Sequence, residues 1–217
     1  MKIFIDSGNI KDIETLVAIG IIDGVTTNPT LLAKEPGDYR DNLKKICQIV
    51  KGPVSGEVTA VDVAGMLKQG RDIAAIDQHM IVKVPLTRAG IQACKALSGE
   101  GIRVNVTLCF SAAQALLAAK AGATFVSPFV GRLDDVGTNG MDLIREIVDI
   151  YGNYDFATEV LVASCRHPIH VIEAARMGAD IATCPPAVID QMFNHPLTNI
   201  GLEKFLKDWE KSQAVAR

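Results

Sequence analysis

The 217-residue sequence lacks several signals that assign proteins to common functional classes. It contains no GxGxxG or GxxxxGK[ST] motif, so no glycine-rich nucleotide loop is predicted. Its formal net charge is −3 and it has no lysine or arginine run, so neither nucleic acid nor an anionic membrane is expected as a partner. No stretch approaches the length of a membrane span, and the first residues form a strand-like run without a signal-peptide pattern. We therefore expect a soluble, cytoplasmic protein.

Cysteine and histidine patterns give no metal or cofactor signal. The five cysteines include no CxxC pair, which suits free thiols in a reducing compartment. Cys109 and Cys165 lie near predicted strand ends but have no evident histidine partner, so we interpret them as packing residues. His167 and His170 are three apart, but no further ligand accompanies them, and Pro168 should start a helix between them. The sequence predicts no metal site and no cofactor.

Short β-rich apolar runs alternate with longer amphipathic segments along the whole chain. The runs predicted as strands are residues 2–6, 23–27, 54–58, 80–85, 102–107, 124–128, 155–164 and 180–183. Such alternation is typical of βα units on a parallel sheet, and no Pro/Gly/Ser-rich linker divides the chain. We therefore predict one α/β domain over residues 1–217, a (β/α)8 TIM barrel. Its loops should be short, because such barrels usually have about 250 residues.

Several helix ends carry recognisable signals. Helical patterns follow possible caps at Asn9 and Asp38, over residues 10–19 and 39–50, and a third opens on Ser111 and runs to residue 121. Glycines are predicted at helix C-termini, at Gly20, Gly70, Gly122 and Gly178.

A further helical pattern follows the eighth unit, at about residues 197–213. It carries the only tryptophan, Trp209, four residues after Phe205. Because the barrel is already complete at this point, the apolar stripe predicts an extra C-terminal helix in contact with another subunit.

Lys83 lies in an apolar run that should be buried on both faces. Val82 and Val84 flank it, and a charged ammonium there is costly to bury unless its environment lowers the pKa of the amine or another group pairs with it. A neutral amine in such a position is a nucleophile. It can form a Schiff base with a ketone, which permits the adjacent carbon–carbon bond to break or form. The alternative is a structural ion pair, or a lysine whose head reaches the surface at the strand end.

Almost every predicted strand ends in a polar or titratable side chain. In a (β/α)8 barrel the chemistry lies at the carboxyl ends of the strands, so these side chains should converge. Asp6 and Glu57 should flank Lys83, so that one stays ionised while the other transfers protons, directly or through a water. Asn28 has a second interpretation, as a cap of the turn before Pro29.

Two arginines follow the later strands. Arg132 lies one loop past the sixth strand and Arg166 just past the seventh. Guanidinium groups bind phosphate oxygens in pairs of hydrogen bonds, so the two could hold a phosphate from two sides. The alternative is a pair of surface arginines.

Four stretches in order resemble the successive motifs of transaldolases, in the small subfamily that also contains fructose-6-phosphate aldolases. They are residues 23–30 (DGVTTNPT), 81–85 (IVKVP), 105–107 (NVT) and 127–132 (SPFVGR). The likeness extends over the whole chain. It implies a class I Schiff-base enzyme of the pentose phosphate pathway with a circularly permuted barrel. Such an enzyme moves a dihydroxyacetone unit from sedoheptulose 7-phosphate to glyceraldehyde 3-phosphate. Homo-oligomers built from rings of five, pentamers or decamers, are also implied.

The resemblance also implies roles for individual residues. Lys83 corresponds to the Schiff-base lysine, Asp6 to the acid/base at the C4 hydroxyl, and Glu57 to the acid/base that acts through a water held by Thr107. Together with the strand ends it gives the predicted substrate-binding residues Thr27, Asn28, Asn105, Ser127, Phe129, Arg132, Ser164 and Arg166.

Two positions bear on which branch of the family the chain resembles. Members that act as plain aldolases have Gln where this chain has Glu57 and Tyr where it has Phe129. Glu57 can exchange a proton with water, and Phe129 offers no hydroxyl to position the water that releases the enamine. We therefore predict transfer rather than release. The alternatives are a fructose-6-phosphate aldolase and, more remotely, a non-catalytic sugar-phosphate-binding or scaffold barrel.

Overall fold

The computed structural model describes the backbone of residues 1–215 and the side chains of residues 1–213. Within this part of the chain, parallel strands close in sequence order into a single barrel. The strands are β1 (Lys2–Asp6), β2 (Gly24–Thr26), β3 (Val54–Glu57), β4 (Met80–Pro85), β5 (Val104–Cys109), β6 (Phe125–Pro128), β7 (Glu159–Val162) and β8 (Ile181–Cys184). The predicted (β/α)8 barrel is confirmed.

Helices follow the strands around the barrel, and a further helix comes after the helix that follows β8. They are α1 (Ile10–Val17), α2 (Pro29–Leu32), α3 (Tyr39–Val50), α4 (Val63–Ala74), α5 (Arg88–Gly99), α6 (Ala112–Ala121), α7 (Val130–Asp135), α8 (Gly140–Asn153), α9 (Pro168–Met177), α10 (Pro186–Phe193) and α11 (Pro196–Val215). The predicted caps are confirmed, because the side chains of Asn9, Asp38 and Ser111 each accept a backbone N–H in the first turn of the helix that follows.

Two predicted strands have different bounds in the structure. β5 starts two residues later than predicted and extends to Cys109, and β7 is confined to Glu159–Val162. Asp155 and Ser164 have φ angles of 49° and 59°, so the chain turns at both ends of the segment predicted as the seventh strand. The other strands agree with the prediction to within one residue at each end.

The glycine predictions are only partly confirmed. Gly122 and Gly178 are left-handed C-caps, with φ angles of 86° and 84°, whereas Gly20 lies two residues past the C-cap of α1. The prediction that Gly70 ends a helix is wrong, because Gly70 lies inside α4. A Cβ at Gly70 would come within 2.8 Å of Leu97 Cδ1, so the residue is small because α4 packs closely against α5.

The barrel interior is filled by large apolar side chains below its carboxyl end. These are Phe4, Ile81, Phe125, Leu161 and Ile181, and the rings of the two phenylalanines pack edge to face at 6.1 Å. Side chains alternate along a strand, so Lys83 shares the inward face of β4 with Ile81. The interior is therefore closed beneath Lys83 and can open only above it.

Backbone strain is stored at two strand ends. Leu108, in β5, and Ser164, just after β7, both have positive φ, at 58° and 59°. The register between β5 and β6 also shifts between Val106 and Cys109, which is a bulge. Left-handed non-glycine residues persist only where the surrounding structure holds them, and they concentrate near functional sites.

The C-terminal helix α11 is present as predicted and leaves large apolar side chains in solvent. Phe205 is 71% exposed and Trp209 is 64% exposed, and Leu202 and Leu206 are also exposed. Its predicted contact with another subunit stays a prediction. Among the described residues, neither α11 nor any other helix is both long and apolar enough to cross a membrane.

Candidate active site

A cavity of about 350 Å³ opens at the carboxyl end of the barrel. This volume lies in the range of small-molecule sites. The predicted site residues that line it are Asp6, Asn28, Lys83, Thr107, Ser127, Phe129, Arg132, Ser164 and Arg166. Glu57, Thr27 and Asn105 do not line it directly but contact residues that do. The structure therefore brings the predicted residues together around one opening.

Lys83 lies at the centre of a row that crosses three strands. The strand register aligns Glu57 with Lys83 and Lys83 with Asn105. Lys83 is only 5% exposed, and its Nζ lies 3.1 Å from Glu57 Oε2 and donates to the Thr27 carbonyl at 3.0 Å. These contacts offset part of the cost of burying the ammonium. The amine is thus held at the cavity wall with one carboxylate in reach to accept its proton.

Asp6 belongs to a hydrogen-bonded chain of three side chains. Thr26 donates from Oγ1 to Asp6 Oδ1 at 2.8 Å, and the Thr183 hydroxyl lies 2.6 Å from the same Thr26 oxygen. Thr26 has a single hydroxyl hydrogen, so Thr183 donates to Thr26. Burial raises the pKa of Asp6 above its usual value, while Lys83 and the Thr26 hydrogen bond act in the opposite direction. Asp6 is therefore suited to take up and return a proton.

Amide and hydroxyl groups form a second network below the cavity. Ser127 donates to Asn105 Oδ1 at 2.8 Å, and Asn105 donates to Ser55 Oγ at 3.2 Å. Both of these bonds are buried. Thr107 Oγ1 is also buried and, within the described part of the chain, has no protein partner. Because buried hydroxyls are normally satisfied, this one is available to a water or a substrate group at the cavity wall.

Asn28 and Thr27 illustrate two different uses of neighbouring residues. Asn28 caps α2 by accepting the Leu31 N–H at 2.9 Å, which confirms that interpretation, and it also lines the cavity, where its role in binding stays a prediction. The Thr27 hydroxyl donates to the Ser55 carbonyl at 2.7 Å, away from the cavity. Thr27 therefore contributes its backbone carbonyl to Lys83, and the lining side chain is that of Thr26.

Two arginines lie at one side of the opening. The Arg132 guanidinium is stacked over Phe129, 4.9 Å from the ring centroid. Arg166 Nη2 pairs with Asp135 Oδ2 at 2.8 Å, but both side chains are about half exposed, and such pairs are weak. Both arginines are among the residues that line the same cavity, and their side chains carry the groups that bind anions best.

The segments that carry these arginines are joined by backbone hydrogen bonds. Val130 N–H donates to the Ala163 carbonyl and Gly131 N–H to the Ser164 carbonyl, each at 3.1 Å. A Cβ at Gly131 would meet the Ser164 carbonyl and would lie 2.6 Å from Arg166 Nε. Glycine is therefore required for the Arg166 side chain to lie against α7.

Cys109 and Cys165, which we interpret as packing residues, are both fully buried. The pKa of the Cys165 thiol is raised well above its usual value, most strongly by a hydrogen bond with Cys184 and next by burial. Burial raises the pKa of Cys109 to about 12. Both ring nitrogens of His170 contact protein groups. In residues 1–213 no three His, Cys, Asp or Glu side chains come together as a ligand set for a metal.

The family described as "Transaldolase/Fructose-6-phosphate aldolase" matches residues 3–216 of this sequence. The chain belongs to the transaldolase/fructose-6-phosphate aldolase family. A "Probable transaldolase" of Kosmotoga olearia is 56% identical over 211 residues, which is 97% of both chains. Another of Anaeromyxobacter dehalogenans is 57% identical over 217 residues, which is 100% of both. A third, of Caldicellulosiruptor saccharolyticus, is 59% identical over 97% of this chain and 98% of that one.

More distant solved structures share the fold of this family member. A "Native KDPGal structure" has a TM-score of 0.60 at 15% identity and covers 84% of this chain and 81% of that chain. A flavocytochrome b2 variant has a TM-score of 0.61 at 11% identity, covering 85% of this chain and 56% of that chain. At such identities the likeness extends to the barrel and not to the chemistry.

Some side chains that support the site were not among the residues predicted from the sequence of this transaldolase-family chain. Thr26 and Thr183 support Asp6, and Asp135 pairs with Arg166. Thr26 and Thr183 both lie at predicted strand ends, so their position was a usable signal. Asp135 gave none, because an acidic residue in a polar loop is ordinary.

Proposed function

We propose that this protein is a transaldolase that acts on sugar phosphates through a Schiff base on Lys83. The observation that carries the proposal is the environment of this amine. It is buried, paired with Glu57, and open to a cavity that also contains Asp6. A lysine that served only as a structural ion pair would not need a second carboxyl group and a cavity beside it.

The geometry supports a sequence of proton transfers. Lys83, once its proton passes to Glu57, adds to the C2 carbonyl of a ketose, and loss of water gives the iminium. Asp6 then takes the proton of the C4 hydroxyl as the C3–C4 bond breaks, and the bonding electrons form an enamine on the lysine. The aldehyde fragment leaves, and an acceptor aldehyde adds to the enamine by the reverse steps. Hydrolysis of the new iminium frees the product ketose and Lys83.

The remaining polar residues divide between the two ends of such a substrate. Asn28, Asn105, Ser127 and Thr107 would bind hydroxyl groups of the dihydroxyacetone unit or hold the water that serves Glu57. Arg132 and Arg166 would bind the phosphate, since both residues line the cavity. No cofactor is needed for this chemistry.

Two side chains favour transfer of the dihydroxyacetone unit to an acceptor aldehyde over its release as free dihydroxyacetone. Glu57 is an acid that can exchange a proton with water, and Phe129 has no hydroxyl to hold a water against the enamine. The enamine should therefore survive until an acceptor arrives. An assay for free dihydroxyacetone distinguishes this reaction from that of a fructose-6-phosphate aldolase, which would release it at the rate of substrate consumption.

The setting of the enzyme follows from the same proposal. We infer a cytoplasmic enzyme of the non-oxidative pentose phosphate pathway, with sedoheptulose 7-phosphate and glyceraldehyde 3-phosphate as substrates. Residues 1–217 would act as one domain, with small molecules rather than nucleic acid or membrane as partners. The exposed apolar side chains of α11 support a homo-oligomer, pentamer or decamer, in which this helix contacts a neighbouring subunit.

Borohydride trapping tests the proposal. Incubation with fructose 6-phosphate and borohydride should add one reduced dihydroxyacetone or ketose unit to the parent at Lys83. Lys83→Met, which fills a similar volume without the amine, should lose the label and turnover but keep its fold. Lys120→Met, at an exposed residue of α6, is the control and should be labelled like the parent. Labelling that persists in Lys83→Met would assign the nucleophile to another lysine.

A further inference from the structure

His170 contacts both segments that carry the arginines of the cavity. It lies in the first turn of α9 and is 4% exposed. Its Nδ1 accepts the backbone N–H of Arg166 at 3.2 Å. Its Nε2 lies 2.9 Å from Oδ2 of Asp134, two residues after Arg132 in α7. One buried ring therefore joins the Arg132 segment to the Arg166 segment.

The hydrogen bonds fix the protonation state of this ring. A backbone N–H can only donate, so the accepting Nδ1 carries no proton and Nε2–H is the donor to Asp134. Burial and the His167 ring, 3.9 Å away, hold the pKa of His170 below its usual value, against the opposing effect of Asp134 and Glu173. The ring is thus neutral at neutral pH, in the tautomer that both contacts require.

Asp134 is itself held from a second direction. Its Oδ1 accepts the Gly140 N–H at 2.9 Å, at the start of α8. A continuous chain of hydrogen bonds therefore runs from α8 through Asp134 and His170 to the backbone of Arg166. His170 does not line the cavity, so any effect on a ligand must pass through its neighbours.

We propose that His170 is a positioning residue that fixes the separation of Arg132 and Arg166 and so sets the preference for phosphorylated substrates. The inference rests on the proposed function, because it requires that these arginines bind phosphate. A guanidinium displaced by about 1 Å loses much of its effect on a bound group. Loss of His170 should consequently weaken phosphate binding while it leaves the Schiff-base chemistry unchanged.

Two substitutions separate the contacts of the ring. His170→Leu removes both, whereas His170→Asn retains an acceptor near the position of Nδ1 and loses the donor to Asp134. We expect His170→Leu to lower the ratio of kcat/KM for phosphorylated over unphosphorylated substrates about tenfold, and His170→Asn to lower it less. Inhibition by inorganic phosphate should weaken by the same factor, and turnover of unphosphorylated substrates should stay within about twofold of the parent. His195→Asn, outside the cavity, is the control for removal of a histidine.

A double-mutant cycle with Arg166 shows whether His170 acts through the arginines of the cavity. In an Arg166→Ala background the backbone N–H that His170 accepts is retained, but the guanidinium is gone. His170→Leu should then have a smaller effect on the substrate ratio and on phosphate inhibition than it has in the parent, because only Arg132 is left to be displaced. If His170→Leu does not fold, Asp134→Asn serves instead, because His170 and Gly140 contact different oxygens of Asp134 and asparagine replaces one of these oxygens with an NH2 group that cannot accept.

The outcomes distinguish this inference from the proposed function. An equal loss for phosphorylated and unphosphorylated substrates, or an undiminished effect in the Arg166→Ala background, would show that His170 is only structural and would overturn the inference. If inorganic phosphate does not inhibit the parent and Arg166→Ala leaves the ratio unchanged, the phosphate site itself is wrong, and the inference falls together with the phosphate-binding part of the proposed function. Borohydride labelling at Lys83 without any phosphate effect would leave the Schiff-base chemistry standing alone.

Discussion

Gly131 is the position where the structure makes the sharpest prediction. An alanine Cβ there would lie 2.6 Å from Arg166 Nε and 2.7 Å from Arg166 Cγ, and would also meet the Ser164 carbonyl. The arginine side chain can swing away, but the carbonyl is part of the backbone after β7. Gly131→Ala should therefore push α7 away from the end of β7 and move Arg166 out of the cavity wall.

The size of the effect follows from what must give way. Overpacking of this kind costs about 1–3 kcal/mol. Two backbone hydrogen bonds, from Val130 to Ala163 and from Gly131 to Ser164, would lengthen, at up to about 1 kcal/mol each. Together these costs amount to roughly 1–5 kcal/mol, which lowers Tm by about 2–20 °C for a chain of this size, at about 2–4 °C per kcal/mol. Discrimination in favour of phosphorylated substrates should fall together with Tm.

The assay combines thermal unfolding with kinetics on a phosphorylated substrate and on its unphosphorylated counterpart. Gly152→Ala is the matched control, since this glycine lies in α8 and an alanine methyl there would have no other atom within 4 Å. Alanine there should leave kinetics unchanged and raise stability by about 0.4–1 kcal/mol. If Gly131→Ala keeps the parent Tm and the parent preference for phosphorylated substrates, the close contact between Arg166 and α7 neither stabilises the fold nor positions Arg166 in the cavity.

Two further predictions concern Asp6 and α11. Thr26→Val removes a hydrogen bond that lowers the pKa of Asp6, so the pKa should rise further and the acidic limb of the kcat/KM profile should move to higher pH. Thr183→Val should move it less, because Thr183 acts through Thr26, and an unmoved limb in both variants would mean that another group titrates there. Deletion of residues 202–217 should break a large homo-oligomer into smaller species while the barrel keeps its secondary structure. Light scattering after size-exclusion chromatography measures this, and an unchanged assembly mass would locate the subunit contact elsewhere.

Much of the fold was predictable because its signals are local. The alternation of β-rich runs and amphipathic segments indicated the barrel, and the polar strand ends indicated most of the cavity lining. Lys83 stood out because its neighbours along β4 are apolar, and the structure buries it as that pattern predicted. Asn9 and Ser111 could be identified as caps because capping depends on residues within one turn.

The residues that escaped prediction depend on contacts between distant segments. Gly70 resembles a helix end in sequence, but its small size serves the packing of α4 on α5, and the two cases are indistinguishable without the structure. The sequence around His170 suggests at most a metal ligand, because nothing near it in the chain indicates that Asp134 and the Arg166 backbone lie on either side of its ring. Such roles appear only once the segments after β6 and β7 are seen side by side.

The hydrogen bonds that continue from β6 and β7 into the segments of Arg132 and Arg166 have a further consequence. They fix the backbone of the two arginines that we propose bind phosphate relative to the same barrel that holds Lys83. The distance from Lys83 Nζ to the proposed phosphate site can then vary only within the reach of the two arginine side chains. We expect the enzyme to select ketose phosphates by the number of carbon atoms between the carbonyl and the phosphate. A ketose phosphate of unsuitable length would not be placed for reaction with Lys83.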